Sequence, residues 1–525
     1  MIVRGRQRQR SRAAAAAAAA AAVAAAAVTT VAHDIVPYAS GYRGLVAALH
    51  TLRVNTTVGE VYGMVNVSTP GVAQFMGIAF AEPPLGSLRF LAPRPKSREN
   101  ETIDATYTRP NCPQYPINKQ TQPNVYTYDA IWLQPDGPTS EDCLTLNVYK
   151  PCKALAASNS TGPFPVLVWI FGGGFNSGGL EELVFDPYNW IQRTEEHIVV
   201  MIKYERIPDH YASQTTEALF SRNRAQTLTW ASSTSGCPSS GVRDNIASFG
   251  DDPSRIVIWG QISGSASTDF YNYAYPEDPI VAGLIQHSGS VFATGVSVDD
   301  EHKNFTFVAE RLGCADLTPA DEFACMQHNV SAEAIIRFYG DYNMNHSDYQ
   351  LKWTTITDNV TKWDDYTARA EDGNYTLAPA IVGSNGNEDA SLITWPGSHG
   401  PNMTEIREKV RTGRTCPVTY LSNLRYTTGS RTFRYWNNAS FPNISPRWWE
   451  GAYHTSKLPL LLGTFTEHGA GPPTAFEYEV WEQWQDFYLA FLKDSSGQGL
   501  VDMGWPAWSP NGAEAVMVFG EGGGR

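Results

Sequence analysis

The sequence predicts an α/β domain built on a mostly parallel central sheet, and three observations predict it. Short runs are continuously apolar rather than alternating, as in strands buried on both faces: "PVLVWIF" (165–171), "HIVVMIKY" (197–204), "RIVIWG" (255–260) and "VAGLIQHSG" (281–289). Polar segments of helix length separate most of these runs. The stretch "IVIWGQISGSAS" (256–267) reads as a strand running into a tight glycine turn, a place where such folds present a reactive side chain.

The remaining elements follow in chain order. "VGEVYGMVNV" (58–67) alternates like an antiparallel hairpin strand. Near the C-terminus "LPLLLGTF" (458–465) suggests another strand, and the Trp/Tyr-rich stretch 476–492 an amphipathic helix. Residues 205–241 fit none of this: they are rich in Ser, Thr and Arg with no sustained period, unusual inside a compact domain. With no internal repeat and no linker, residues 33–525 read as one domain.

At 525 residues the chain is long enough to bury a large core. The 53 acidic against 39 basic residues give a net charge of −14, spread along the chain, which argues against a nucleic-acid partner. Arg4, Arg6, Arg8, Arg10 and Arg12 precede an Ala/Val run over 13–28 and small residues at Thr30 and Ala32. This is a secretory signal pattern over residues 1–32, too short and too weakly apolar for a membrane span. A mitochondrial presequence and a misassigned start are the alternatives. No other stretch is apolar enough to span a bilayer. Sequons at Asn55, Asn66, Asn100, Asn159, Asn304, Asn329, Asn345, Asn359, Asn374, Asn402, Asn438 and Asn443 point the same way, to a secreted glycoprotein. The seven cysteines match no metal spacing, and an oxidising compartment makes disulfides their first reading. No metal or other cofactor is implied.

Three features carry chemistry. "FGGGF" (171–175) directly after a buried strand offers backbone N–H groups to a developing oxyanion. The glycine turn has the frame Gly260-Gln261-Ile262-Ser263-Gly264, in which G-x-S-x-G would place a nucleophile. Further along come an acid, Glu388 in "VGSNGNED", and then a histidine, His454 in "GAYHTSKLP". Acid then histidine after the elbow is the chain order of the α/β-hydrolase triad.

With "FMGIAFAEPPLGSLRF" (75–90), "SEDCLTLNVYKP" (140–151), "VRDNIASFGDDPSRIVIWGQ" (242–261), "LIQHSGS" (284–290) and "GWPAWSP" (504–510) in order, the chain resembles the type-B carboxylesterase/lipase family nearly throughout its mature length. That family includes cholinesterases and secreted fungal lipases. The resemblance implies an α/β-hydrolase fold and hydrolysis of small-molecule or lipid carboxylic esters through an acyl-serine intermediate. It implies Glu388 as triad acid and His454 as general base, with oxyanion N–H donors from Gly173, Gly174 and Ser263. It implies disulfides Cys112–Cys143 and Cys314–Cys325, an ion pair between Arg89 and Glu141, and places Trp132 near a choline-binding tryptophan, one residue out of register.

Where the family has its nucleophilic serine, this chain has Ile262. The flanking matches are gapless, and one base change converts an AGC or AGT serine codon to isoleucine. Ser263 and Ser265 are displaced along the elbow and point elsewhere. Residues 205–241 lack the family's block behind the elbow, Asp389 replaces a glycine after the acid, and Lys457 stands where an acidic residue commonly follows the histidine. These breaks suggest a decaying gene copy or a frame error between residues 204 and 242. The expectation is therefore an esterase fold with impaired or absent catalysis. A non-catalytic binding or adhesion protein on the same fold is the alternative.

Overall fold

The computed structural model describes residues 52–91, 93–134, 137–153, 163–205, 242–276, 280–293, 303–346, 351, 355, 357, 362–467, 469–512 and 515–520. All of them belong to one compact unit, Val46–Arg525. The expected signal segment (residues 1–32), residues 206–241, Asn159, Asn359 and Cys237 lie outside the described residues.

Twelve strands form the sheet: β1 (Leu52–Thr56), β2 (Gly59–Val65), β3 (Val72–Ala79), β4 (Ile103–Asp104), β5 (Thr145–Pro151), β6 (Phe164–Ile170), β7 (Ile198–Ile202), β8 (Asp251–Gln261), β9 (Gly283–His287), β10 (Ala380–Asn385), β11 (Thr432–Asn437) and β12 (Val516–Phe519). Their order is β1-β2-β3-β5-β7-β6-β8-β9-β10-β11-β12, with β4 beside β2. From β7 to β12 every pairing is parallel. From β1 to β7 the path is antiparallel. The continuously apolar runs became the parallel centre, where every residue of β6, β7, β9 and β10 is buried. The alternating "VGEVYGMVNV" gave β2, paired antiparallel with β1 and β3 and in parallel with the short β4. The fold is the expected α/β-hydrolase type.

One element departs from its sequence reading. "LPLLLGTF" is not a strand but the short helix Leu458–Leu462. Pro459 sits in its first turn, where a missing N–H costs nothing, and Gly463 closes it in the left-handed region (φ 83°). Period alone does not separate a short buried strand from a short buried helix. The helix α5 (Ala475–Lys493) forms as expected, opened by a capping box between Thr474 and Glu477.

The helix α1 (Ser263–Ala274) follows β8 and is almost wholly buried. Three further helices, α2 (Lys303–Arg311), α3 (Pro319–Asn329) and α4 (Ala332–Asn345), gather a separate small core around Phe305, Val308, Met326 and Ile335. The Cys314–Cys325 disulfide ties this unit together. Arg89 docks it to the sheet body: its guanidinium makes a forked pair with Glu141 and donates to the carbonyls of Gln327 and Val330. The Cys112–Cys143 disulfide closes the loop facing α4. There Tyr115 lies against Gly340, where an added Cβ would fall 2.0 Å from the ring, and its hydroxyl donates to Asp341 (2.9 Å). Cys152 is a half-buried free thiol and Cys416 an exposed one.

Candidate active site

Parallel strands deliver their carboxyl ends to one edge of the sheet. Strand β6 is flanked by β7 on one side and β8 on the other, so the chain leaving β6 and β8 diverges there, a switch point where such sheets bind ligands. Register pairs Ile170 with Gly260, Gly260 with Gln286, and Gln261 and Gly383 with His287. The segments after β6, β8, β9 and β10 therefore emerge together, bringing Gly172–Gly174, Ile262, Ser288 and Glu388 to one place.

At the end of β8 the chain turns sharply through Ile262 into α1. Ile262 has φ 50° and ψ −111°, a conformation that a β-branched residue adopts only when its surroundings impose it. Its N–H donates to His287 O (2.9 Å) and its carbonyl accepts from Ala266 N (2.9 Å). The glycine frame makes room: a Cβ on Gly260 would fall 2.1 Å from Gly264 O, and one on Gly172 would fall 2.1 Å from Ile262 Cγ2. The elbow keeps its geometry, and isoleucine occupies its apex.

Glu388 and His454 are brought together in full burial. His454 Nδ1 donates to Glu388 Oε2, and His454 N donates to Glu388 O (3.2 Å). Glu388 Oε1 accepts from Asn385 N (2.6 Å) and from the Ser288 hydroxyl. Burial works against this carboxylate's charge, but His454, Lys457 and Arg414 outweigh it and hold Glu388 well below the usual carboxylate range. Burial pushes His454 below its ordinary value against the pull of Glu388, with Arg414 and Lys457 adding to the depression. The imidazole is thus a neutral, oriented base.

Among the described residues no hydroxyl bonds the Nε2 of that base. His454 Nε2 is met by the Gln261 amide, Nε2 to Nε2 at 2.8 Å, with the amide N–H donating. Ser263 is buried and its hydroxyl has no partner among the described residues. Ser265 is committed to Gly289 O (2.6 Å). Neither serine bonds His454. Gly173 and Gly174 form a turn at positive φ (119° and 63°), closed by bonds from Asn176 N and Ser177 N to Gly173 O (3.0 Å each).

These groups open on a cavity of about 500 Å³ lined by Gly172–Gly174, Gln261, Ile262 and His454 at its floor. Its walls come from the disulfide-closed loop (Tyr115, Gln122, Tyr126) and from α4 (Tyr339, Asn343). Ser263 and Trp132 are not among the residues that line it, although Leu133, next to Trp132, is. Sequence reasoning did not single out the Gln261 cap, the Ser288–Glu388 bond or Tyr126, whose hydroxyl donates to His454 O (3.1 Å). Gln261 and Ser288 both lie inside motifs already recognised, but only tertiary structure shows what they touch.

Lys457 is fully buried beside this network, donating to Ser288 Oγ (2.9 Å) and Asn385 Oδ1 (3.2 Å). Burial pushes its amine down to about 8, against the pull of Glu388 and with Arg414 adding to the depression. No cluster of metal-ligating side chains occurs among the described residues.

Comparison with known proteins agrees with this architecture. The model of the carboxylesterase family matches residues 50–207 and 241–412, so the break falls within the stretch 205–241 that the sequence sets apart. A chlorogenic acid esterase of Aspergillus niger is 36% identical over 493 residues, covering 90% of this chain and 91% of that protein. Secreted lipase 5 of Gibberella zeae is 33% identical over 478 residues, covering 87% and 88%. The acetylcholinesterase of Electrophorus electricus is 27% identical over 368 residues, covering 68% and 54%.

Proposed function

The chain belongs to the carboxylesterase family, a carboxylesterase/lipase-type hydrolase by resemblance, and we propose that this member has lost the family's covalent chemistry while keeping its ester-binding cavity. The observation that carries the reading is Ile262 at the apex of the elbow. Acyl transfer needs an oxygen there to attack the ester carbonyl while His454 takes its proton, Glu388 steadies the imidazolium, and the amides of Gly173, Gly174 and Ser263 hold the oxyanion. Isoleucine offers no lone pair and no proton. Loss of a triad nucleophile costs on the order of 10⁶-fold in turnover and leaves the weak catalysis of the oxyanion site and binding.

Secretion belongs to the same proposal, supported by the N-terminal pattern, the sequons and two disulfides. Among the described residues no helix is long and apolar enough to cross a membrane. The persistence of the cavity favours the binding reading: a carboxylic ester held without turnover. Aromatic-acid and lipid esters are the first ligands to try, given the names of the two fungal relatives.

The test combines a melt, calorimetric titration and turnover assays on chlorogenate, a short-chain p-nitrophenyl ester and a triglyceride. Cooperative unfolding and saturable ester binding without turnover are expected. Turnover that disappears in His454→Ala would refute the loss of chemistry. Cooperative unfolding with no ester binding would refute the binding reading.

A further inference from the structure

Sequons are weak signals singly, but the structure sorts them. Asn55, Asn100, Asn329, Asn345, Asn374, Asn402 and Asn438 are exposed, Asn66 is half-buried, and Asn304 and Asn443 are buried. The last two contradict the sequence reading of a glycan there. Asn443 is 3% exposed and its amide donates to Glu477 Oε1 (3.0 Å), so a sugar on it is incompatible with the fold.

Asn438, five residues earlier, stands in a different setting. It follows β11, its backbone N–H is fixed to Phe519 O (3.0 Å), and its side chain makes no hydrogen bond among the described residues. It lines a second cavity of about 470 Å³, on residues distinct from those of the esterase pocket. Trp448, 58% exposed, lines the same cavity, as do Phe441, Arg407 and Ser440, the last residue of the sequon. Trp449 also lines it, and its buried Nε1 has no partner among the described residues. The volume lies within the range of small-molecule sites, and the lining pairs the exposed ring of Trp448 with the polar side chains of Arg407 and Ser440. A pyranose matches both, presenting an apolar C–H face and a rim of hydroxyl and acetamide groups.

We propose that Asn438 carries an N-linked glycan whose first N-acetylglucosamine units seat in this cavity against Trp448. The glycan then acts as a structural cover over the ends of β11 and β12 and is not a freely solvated chain. The inference rests on the secretory reading above. It predicts occupancy at Asn438 and none at Asn443, whose sequon also runs directly into Pro446.

The experiment is glycopeptide mapping of the full chain from a secreting host, followed by native digestion with an endoglycosidase that cuts between the first two sugars. Asn438 should be occupied, Asn443 bare, and the Asn438 glycan trimmed about tenfold more slowly than those on Asn100 and Asn374, the scale of one aromatic stacking contact. Trp448→Ala should remove that protection while leaving occupancy intact. Ser440→Ala, which deletes the sequon and leaves Trp448 in place, should lower the Tm. A bare Asn438 beside glycosylated Asn100 and Asn374 overturns the inference alone, as does trimming at equal rates. A chain from that host with no glycan at any sequon overturns the secretory reading and this inference together.

Discussion

The two halves of the candidate active site differ in what they hold. On the side of β10 and the loop carrying His454, the acid and base are complete: buried, bonded to each other, and buttressed by Ser288 and Asn385. On the side of β8 the elbow keeps its turn, its glycines and its helix, yet its apex is a hydrocarbon. The backbone that presents a nucleophile is thus specified separately from the nucleophile itself. Turn geometry comes from glycine spacing and sheet register, whereas reactivity comes from one side chain that the fold does not need.

Restoring that side chain is the sharpest way to break the contrast. Ile262→Ser should raise ester turnover by at least ~10⁴-fold over the parent chain, towards the ~10⁶-fold a triad nucleophile is worth. Initial rates on a short-chain p-nitrophenyl ester measure it. In that background His454→Ala should erase the gain, and Glu388→Gln should remove most of it, on the order of 10⁴-fold. In the parent chain the same two substitutions should leave ester hydrolysis at its background level. If the restored enzyme tolerates loss of His454, the acid–base side is not the working half.

The next effects concern what holds the cavity walls. Removing Cys112–Cys143, which closes a 31-residue separation, should cost about 4 kcal/mol, against about 3 kcal/mol for the 11-residue Cys314–Cys325. Denaturant melts of the two Cys→Ser double variants give the comparison. The first should weaken ester binding more than the second, because its own loop carries Tyr115, Gln122 and Tyr126, whereas Cys314–Cys325 acts on the wall only through the unit that carries α4.

The smallest effect is on pH dependence. Catalysis in Ile262→Ser needs neutral His454, so the rate should be full on the alkaline side and fall as acid protonates the imidazole. Burial leads in lowering that group from 6.5, Glu388 opposes, and Arg414 and Lys457 reinforce. The acid limb should therefore lie below pH 6.5. Lys457→Met removes one of the depressing charges and should move the limb upwards by up to about one pH unit. A kcat/KM profile of the two variants reads the shift. No movement would mean that Lys457 does not tune the base.

How far the sequence foretold this molecule follows from how local each signal is. The parallel centre was legible because β6, β7 and β9 are buried on both faces and hence apolar throughout. Strands β11 and β12 were not read. The first carries Arg434 within "TFRYWN", and the second is a four-residue edge strand. "LPLLLGTF" was misread because five buried residues in a row suit either a strand or a helix. At the site, the elbow, acid and histidine were visible as motifs, and the structure bonds Glu388 to His454, which lines one cavity with Ile262. The Gln261 amide on His454 and the Ser288–Lys457 contact were not visible, since each joins residues more than 160 positions apart. The disulfides came from family resemblance, and spacing alone left them open.

With isoleucine at the elbow apex, no serine of this chain is expected to serve as the nucleophile. Treating the purified parent chain, its Ser263→Ala variant and Ile262→Ser with an organophosphonate probe, then weighing the intact proteins, tests it most directly. No adduct is expected on the first two and a single adduct on the third, mapped to residue 262. A stoichiometric adduct on the parent chain that vanishes in Ser263→Ala would contradict it.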